Sequence, residues 1–418
     1  MSKLKIGLFG FGCVGSGLYK VLNESQQLDA EIVSIVAKNK NKPREKTKIP
    51  ISFEPEAILD NELINVVVEL INNSEEAYLI IKKAIQSKKH IVTANKKVLS
   101  EHLDELIALA KENGVSLLYE ASVAGSIPII RNLEEYYNND TLTSIEGIVN
   151  GTTNYILSQS NKGISYTDAL KDAQEKGFAE ADPKLDVEGF DSVYKLTILI
   201  KHAFGLSIAS NQLLTVGIKN LKKQDVLFVQ EKKFRVKLLA KAFKVDNELF
   251  AFVAPHLVDS NHDAFEVGNE FNAIVVQAAY ADKQLFYGKG AGSLPTASAV
   301  LSDISALNYK YAYEYRKTAN AEVKLSNELK LKVYIGSTNF SSLSEFQFDE
   351  IEDLYIGTEY AYQIGTISLK ELLKVNWNER IELSLLLFSE RAINKQVTQN
   401  QSSNFKFLKK DNAFYSIH

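Results

Sequence analysis

The stretch Gly177–Lys195, GFAEADPKLDVEGFDSVYK, places Glu180, Asp182, Asp186, Glu188 and Asp191 around two lysines, Lys184 and Lys195. Gly177, Pro183 and Gly189 punctuate it as an ordered loop that runs into a helix. Asp191 and Lys195 are four residues apart, so on that helix they share a face. Leu196, Leu199, Ile200 and Ala203 follow as an apolar stripe at helical spacing. Lys195 flanks the stripe at the edge of a core, where an ammonium group needs carboxylate partners. Such a cluster could bind the ammonium of an amino acid and keep a lysine beside the reacting carbon. In isolation the same residues also describe a solvated acidic loop with a surface ion pair of little energetic weight, so the rest of the chain has to decide.

The elements ahead of this block alternate between strand and helix. Apolar runs predict strands at Leu4–Phe9, Glu31–Ala37, Asn65–Leu70, His90–Thr93 and Val115–Tyr119, with helices at Glu75–Gln86 and Leu99–Glu112. Short, almost wholly apolar strands separated by helices imply a parallel sheet covered on both faces. Gly10-Phe11-Gly12-Cys13-Val14-Gly15 lies between the first strand and the first helix. There, glycines let backbone approach a pyrophosphate and the helix N-terminus supplies free N–H groups; this context makes the triplet a strong dinucleotide signal. After the second strand stands a basic loop with Lys38, Lys40, Lys42 and Arg44 in place of an acidic residue. It suits the 2′-phosphate of NADP, with NAD as the alternative and a plain solvated loop weighed equally. Thr93-Ala94-Asn95-Lys96 ends the fourth strand, on the side where such sheets bind ligands. Gly151-Thr152-Thr153-Asn154 opens a later helix and offers N–H and hydroxyl donors, or an ordinary N-cap turn.

Beyond Glu120 the rhythm changes. Strands are predicted at Ser144–Val149, Phe250–Val258, Asn272–Tyr280 and Gln284–Tyr287, and helices at Asn154–Ser160, Thr167–Lys176 and Pro295–Ile304. From Tyr311 onward, strands at Leu329–Ile335, Tyr355–Ile364 and Ile381–Phe388 surround a helix at Ser368–Lys374, and Asn394–Asn404 reads as a polar loop. At 418 residues the chain has length for two or three domains. Its 45% hydrophobic and 24% charged residues are ordinary for a globular protein. A net charge of -4 offers no general attraction to nucleic acid or anionic membrane. No apolar run approaches the roughly 20 residues that span a bilayer. The lone Cys13 precludes an intrachain disulfide and suits a reducing cytoplasm.

These segments together resemble homoserine dehydrogenases. GFGCVG, TANK, EASVAGSIP (Glu120–Pro128), GIVNGTTNYIL (Gly147–Leu157), GFAEADPKLDVEGFD followed by Lys195, and GAGSLPTASAV (Gly290–Val300) occur in that family's order over roughly residues 1–305. The resemblance implies NAD(P)-dependent interconversion of L-aspartate 4-semialdehyde and L-homoserine, on the route to threonine, methionine and isoleucine. It implies that Lys195 and Lys96 are the catalytic lysines, Lys195 carrying the proton, with Lys97 the alternative to Lys96. By the same likeness Glu180 and Asp191 bind the substrate amino group and fix Lys195, Thr152 and Gly151 contact substrate, and Asp186 supports the site. Gly10, Gly12, Cys13, Val14, Gly15, Lys38, Arg44, Thr93, Asn95, Lys96 and Gly292 fall to the cofactor, with Thr93, Asn95 and Gly292 along its nicotinamide side. A sodium ion is expected at Glu120, Val123, Gly125 and Ile127, mainly through backbone carbonyls; the residues alone read as a structural turn. A homodimer is expected as well.

Aldehyde reduction needs a hydride at carbon and a proton for the developing alkoxide. A lysine ammonium can supply that proton, and carboxylate neighbours are expected to raise the pKa of Lys195. A competing thioester-forming semialdehyde dehydrogenase needs a nucleophilic cysteine, and Cys13 sits in the dinucleotide loop. Another Rossmann oxidoreductase, or a cofactor-binding sensor that has lost catalysis, remain as alternatives; the complete set of Glu180, Asp191, Lys195 and Lys96 argues against the sensor. The expected architecture is α/β: a Rossmann NAD(P)-binding domain over residues 1–130 and an α+β substrate and dimerisation domain with a mixed sheet over 131–310. A C-terminal α+β, degenerate ACT-like domain follows over 311–418. It lacks the usual acidic-x-Pro-Gly turn after its first strand, where Gly336-Ser337-Thr338-Asn339 stands.

Overall fold

The alternating N-terminal pattern builds a six-stranded parallel sheet in the computed structural model, which describes residues 3–25, 28–41, 43–44, 46–319 and 323–389. Its strands are β1 (Leu4–Phe9), β2 (Ala30–Val36), β3 (Ile51–Ser52), β4 (Val66–Glu69), β5 (His90–Thr93) and β6 (Leu117–Leu118), in the order β3-β2-β1-β4-β5-β6. Val66, Val67, Val68, Ile91 and Val92 are wholly buried, which is why these strands read as unbroken apolar runs. The helices Ser74–Gln86 and Lys96–Asn113 are capped by Asn73 and Asn95, whose side chains accept from Glu76 N–H and Val98 N–H. Strand order reverses between β1 and β4, so the crevice at the carboxyl ends of β1, β4 and β5 is the place for a ligand.

The second sheet is mixed. Its strands are β7 (Leu142–Ile148), β8 (Leu214–Thr215), β9 (Arg235–Val245), β10 (Glu248–Val258), β11 (Phe271–Ala278), β12 (Lys283–Lys289), β13 (Lys324–Leu325), β14 (Lys330–Ser337), β15 (Phe348–Ile356), β16 (Ala361–Ser368) and β17 (Leu383–Phe388). The main path runs β12-β11-β7-β9-β10-β17-β14-β16-β15, with β8 and β13 pairing along β10. The tail therefore continues the middle sheet through a short parallel seam, His256 against Leu387 and Leu257 against Phe388. Beneath it, Leu214, Val216, Phe250 and Phe252 share one apolar cluster with Leu331, Val333, Leu385 and Trp377.

One expected strand divides and one strand goes unread, each for a local reason. The predicted strand Tyr355–Ile364 is the end of β15, a turn closed by Gly357 N–H on the Tyr360 carbonyl at 2.9 Å, and the start of β16. Strand β9 escapes the apolar pattern because Lys237 and Lys241 interrupt it. Lys237 is buried and donates to Asn154 Oδ1 at 3.2 Å, while Lys241 pairs with Glu146 at 2.5 Å. Among the described residues no helix is long and apolar enough to cross a membrane. The loop expected at Asn394–Asn404 lies outside the described residues.

Candidate active site

Gly189, at φ 86°, turns the chain from the acidic loop into the helix Phe190–Phe204. Asp191 falls in its first turn, where the helix dipole favours an anion, and Lys195 stands one turn further on. The pairing read from their spacing is present: Lys195 Nζ lies 2.7 Å from Asp191 Oδ2 and also donates to the Val149 carbonyl at 2.7 Å. From the first sheet, Lys96, at the start of the helix that follows β5, brings its Nζ to 2.9 Å from Asp191 Oδ1. One buried carboxylate thus bridges two ammonium groups delivered by two helices. Lys97 turns away, 3.9 Å from Glu101, which separates the two adjacent lysines.

Asn150 completes the cluster and was missed by sequence reading. Its amide nitrogen donates to Asp186 Oδ1 at 2.7 Å and Asp191 Oδ2 at 2.9 Å, while its carbonyl oxygen accepts from Thr153 N–H and caps the helix Gly151–Ser160. The available signal was its place immediately before Gly151-Thr152-Thr153, the N-cap position of a predicted helix.

The electrostatics correct one expectation. Lys195 is 8% exposed, and burial pulls its pKa below the usual lysine value, although Asp191 opposes the shift; the nearby Lys96 charge adds to it. Lys96 keeps a side chain 40% exposed, and attraction to Asp191 raises its pKa against the cost of burial. Burial pushes Asp191 upward, but both ammonium groups outweigh it and hold the carboxyl well below its ordinary range. Asp186 is raised, by burial first and then by the Asp191 charge. The two lysines are therefore unlike: Lys195 gives up its proton more readily, and Lys96 holds a lasting positive charge.

Lys96, Asp186, Asp191 and Lys195 line a cavity of about 350 Å³, together with Gly151, Thr152 and Gly292. Lys176, Glu270 and Lys289 also reach it and carried no signal beyond their charge. Gly151 packs so closely that a Cβ would lie 2.6 Å from the Glu270 carbonyl, and Thr152 Oγ1 donates to the Phe178 carbonyl at 2.5 Å. Glu180 is exposed outside this lining, though its charge still raises the pKa of Lys96. Asp182 is exposed, and Glu188 is paired with Lys219. A larger cavity of about 560 Å³ lies between Phe228 and Tyr355, far along the second sheet; it lacks a lysine–carboxylate pair, so size does not select the site.

At the cofactor end, Gly10 adopts φ +93° with the Leu70 carbonyl 2.5 Å from where a Cβ would stand. Gly15 likewise abuts the Gly10 carbonyl, at 2.1 Å. A Cβ on Gly12 would meet nothing, and Gly12 begins the helix Cys13–Glu24 without a side-chain cap. Open space beside uncapped N–H groups fits a phosphate group. Cys13 is exposed, Val14 is half-buried, and Ser293 Oγ donates to the Cys13 carbonyl at 2.6 Å. Lys38 pairs with Glu76 at 2.9 Å, while Arg44 and Lys40 lie over the Phe53 ring. Thr93 and Asn95 stand at the end of β5 with their side-chain polar groups bonded within the protein. Thr93 Oγ1 donates to Glu69 Oε2 at 2.6 Å, and Asn95 Nδ2 donates to the Ile71 carbonyl at 3.2 Å. Both brace the strand end. The buried Glu69 carboxyl, which also accepts from Ile71 N–H, is pushed up to about 7 by burial.

The turn expected to hold sodium spends its carboxylate elsewhere. Glu120 accepts from Ile130 N–H and Arg131 N–H, each at 2.8 Å, and so caps the helix Ile129–Glu134. Burial, and then the nearby Asp303 charge, push its carboxyl up to about 8. The Ile127 carbonyl accepts from Ile129 N–H at 2.9 Å. Val123 is buried, and Gly125 packs against Gly290 at φ +56°.

Comparison with known proteins bears on both ends of this crevice. Residues 10–120 match the family model described as homoserine dehydrogenase, NAD binding domain, and residues 128–305 match that of homoserine dehydrogenase. Among curated relatives, the homoserine dehydrogenase of Bacillus subtilis is 38% identical over 317 residues, covering 73% of each chain. That of Helicobacter pylori is 39% identical over 314 residues, covering 72% of this chain and 73% of its own. The crystal structure of a homoserine dehydrogenase from Thiobacillus denitrificans superimposes with a TM-score of 0.80 at 29% identity, over 93% of this chain and 99% of that one. A hyperthermophilic archaeal homoserine dehydrogenase in complex with NADPH gives 0.63 at 25% identity, over 75% and 99%.

Proposed function

The chain belongs to the homoserine dehydrogenase family, and from that premise we propose how its residues divide the work. It is an NAD(P)-dependent oxidoreductase that interconverts L-aspartate 4-semialdehyde and L-homoserine. The observation that carries the division of labour is the single Asp191 carboxylate joining Lys195 to Lys96 at the wall of the cavity. The bound nicotinamide supplies the hydride for the aldehyde carbon. Lys195 spends two N–H groups on Asp191 and Val149 and keeps a third for the alkoxide, to which it passes its proton. Its lowered pKa suits a donor that must also take the proton back during oxidation. Lys96 stays charged and stabilises the alkoxide electrostatically. Asp191 is saturated by two lysines and Asn150, so we assign it to fixing Lys195. The substrate ammonium falls to Asp186 with Glu180 at the rim, beside Thr152 and Gly151.

The cofactor assignment is NADPH, supported by the basic loop holding Lys38, Lys40 and Arg44 and by the ligand of the archaeal relative. The pairing of Lys38 with Glu76 tempers it and leaves NAD in contention. Sodium would be held by the carbonyls of Glu120, Val123, Gly125 and Ile127, since the Glu120 carboxylate is committed. Exposed Leu285 and Tyr287 on the edge strand β12 support a homodimer through the middle sheet. Domains over 1–130, 131–310 and 311–418, the last ACT-like, and a cytoplasmic location complete the reading. Initial rates with homoserine and NADP or NAD, for the parent and Lys195→Ala, test it. The variant should lose about 10²–10⁴-fold in kcat, the usual worth of a positioned proton donor, with NADPH binding largely kept. Near-parental turnover would remove Lys195 from the chemistry.

A further inference from the structure

Asn272, on β11, is wholly buried, yet neither its amide nitrogen nor its amide oxygen has a hydrogen-bond partner. A buried amide left unpaired on both atoms is costly, and native folds rarely keep one without a use. Its position supplies the use. A Cβ on Gly290 would lie 1.8 Å from Asn272 Nδ2 and 2.5 Å from Oδ1, so the amide stands directly behind Gly290. The segment Lys289–Gly292 is wall of the same cavity that holds Lys96 and Lys195. Among the described residues, Gly290 and Ala291 make no backbone hydrogen bond. On the other side of this segment, Ser126 N–H donates to the Lys289 carbonyl at 3.1 Å, and the chain at Gly125 packs against Gly290. Two unmet demands, an amide and a stretch of free peptide, are thus stacked behind the surface that faces the ligand.

We propose that Asn272 is a positioning residue: its amide bonds the peptide groups of Gly290 and Ala291 when that segment settles against bound cofactor, and so fixes the cavity wall for hydride transfer. The inference rests on the cofactor lying in this cavity, as the function above requires. In the unliganded protein the amide is a stability cost retained for the liganded state. Asn272→Leu, apolar and with the same branching of side-chain heavy atoms, removes that cost, and Asn272→Ser is a second variant that keeps a smaller polar group. Thermal unfolding of the unliganded proteins, NADPH titration by fluorescence, and kcat and KM for homoserine are measured on all three. The expected result is a melting temperature for Asn272→Leu at or above the parent's, with NADPH affinity or kcat at least tenfold lower and KM for homoserine little changed. Asn272→Ser should fall between the two. Parental affinity and kcat in a folded Asn272→Leu, or a lowered melting temperature with parental affinity, would overturn the proposal. Failure of the parent itself to bind NADPH or oxidise homoserine would instead defeat the functional reading beneath it.

Discussion

Asp191→Asn is the sharpest test of the two-lysine arrangement. In the parent, Asp191 Oδ1 serves Lys96 and Oδ2 serves both Lys195 and Asn150. An asparagine can accept at one of those positions but presents N–H donors at the other, so one ammonium faces a donor and the pair of positive charges loses its counter-ion. Removing one partner of a buried ion pair costs about 3–5 kcal/mol, and each pKa unit accounts for about 1.4 kcal/mol. The protein can shed this cost by releasing the proton of Lys195, whose pKa burial already lowers. Part is recovered at Asp186, which no longer feels the Asp191 charge and ionises more readily. The pKa of Lys195 therefore falls further below the usual lysine value, and the protonated donor is lost at a lower pH than in the parent. Aldehyde reduction followed by NADPH absorbance should therefore drop toward the loss of about 10²–10⁴-fold that a misplaced proton donor costs, and its basic limb should move toward acid. NADPH affinity should hold within a few-fold. A folded variant with parental kcat and an unmoved basic limb would refute the bridging role.

The dinucleotide loop separates space from strain. Gly12→Ala meets no atom, so it should leave the melting temperature unchanged while weakening cofactor binding tenfold or more; Gly15→Ala collides with the Gly10 carbonyl and should lower the melting temperature. Equal thermal effects from the two would contradict the assignment of Gly12 to the phosphate site. Glu69 predicts a pH signature. Its folded pKa is raised from 4.5 to about 7, so the folded chain keeps a proton that the unfolded chain has released. Its stabilising share is complete below pH 4.5 and is lost as pH rises to about 7, a change of about 3 kcal/mol. Urea midpoints should thus show Glu69→Gln gaining on the parent by about that amount between pH 4.5 and 7, and a pH-independent difference would refute the burial of a carboxyl whose donors do not offset its desolvation.

The pairing of Asp191 with Lys195 was legible because helical spacing is a local property, and the glycine loop because its context is a single βαβ unit. Asn150 was not, since its value lies in contacting Asp186 and Asp191, 36 and 41 residues away. The sign of the Lys195 shift was misjudged for a related reason. Sequence lists the charged neighbours, but the depth at which the ammonium lies sets the desolvation that dominates. In the second sheet, the buried Lys237 and half-buried Lys241 in β9 concealed a strand, because their partners come from Asn154 and Glu146. The inward turn of Thr93 and Asn95 depended on Glu69, visible in the chain only as an acid at the end of an apolar run.

The apolar cluster beneath the tail has an evolutionary corollary. Because Leu214, Val216, Phe250 and Phe252 lie under strands that arrive only after residue 329, a shortened descendant would inherit a bare greasy face. Loss of the tail and replacement of those four side chains by polar ones must then occur together, or a partner must cover them. The C-terminal quarter is in that sense hard to discard, whatever signal it does or does not sense: its retention is secured by solubility.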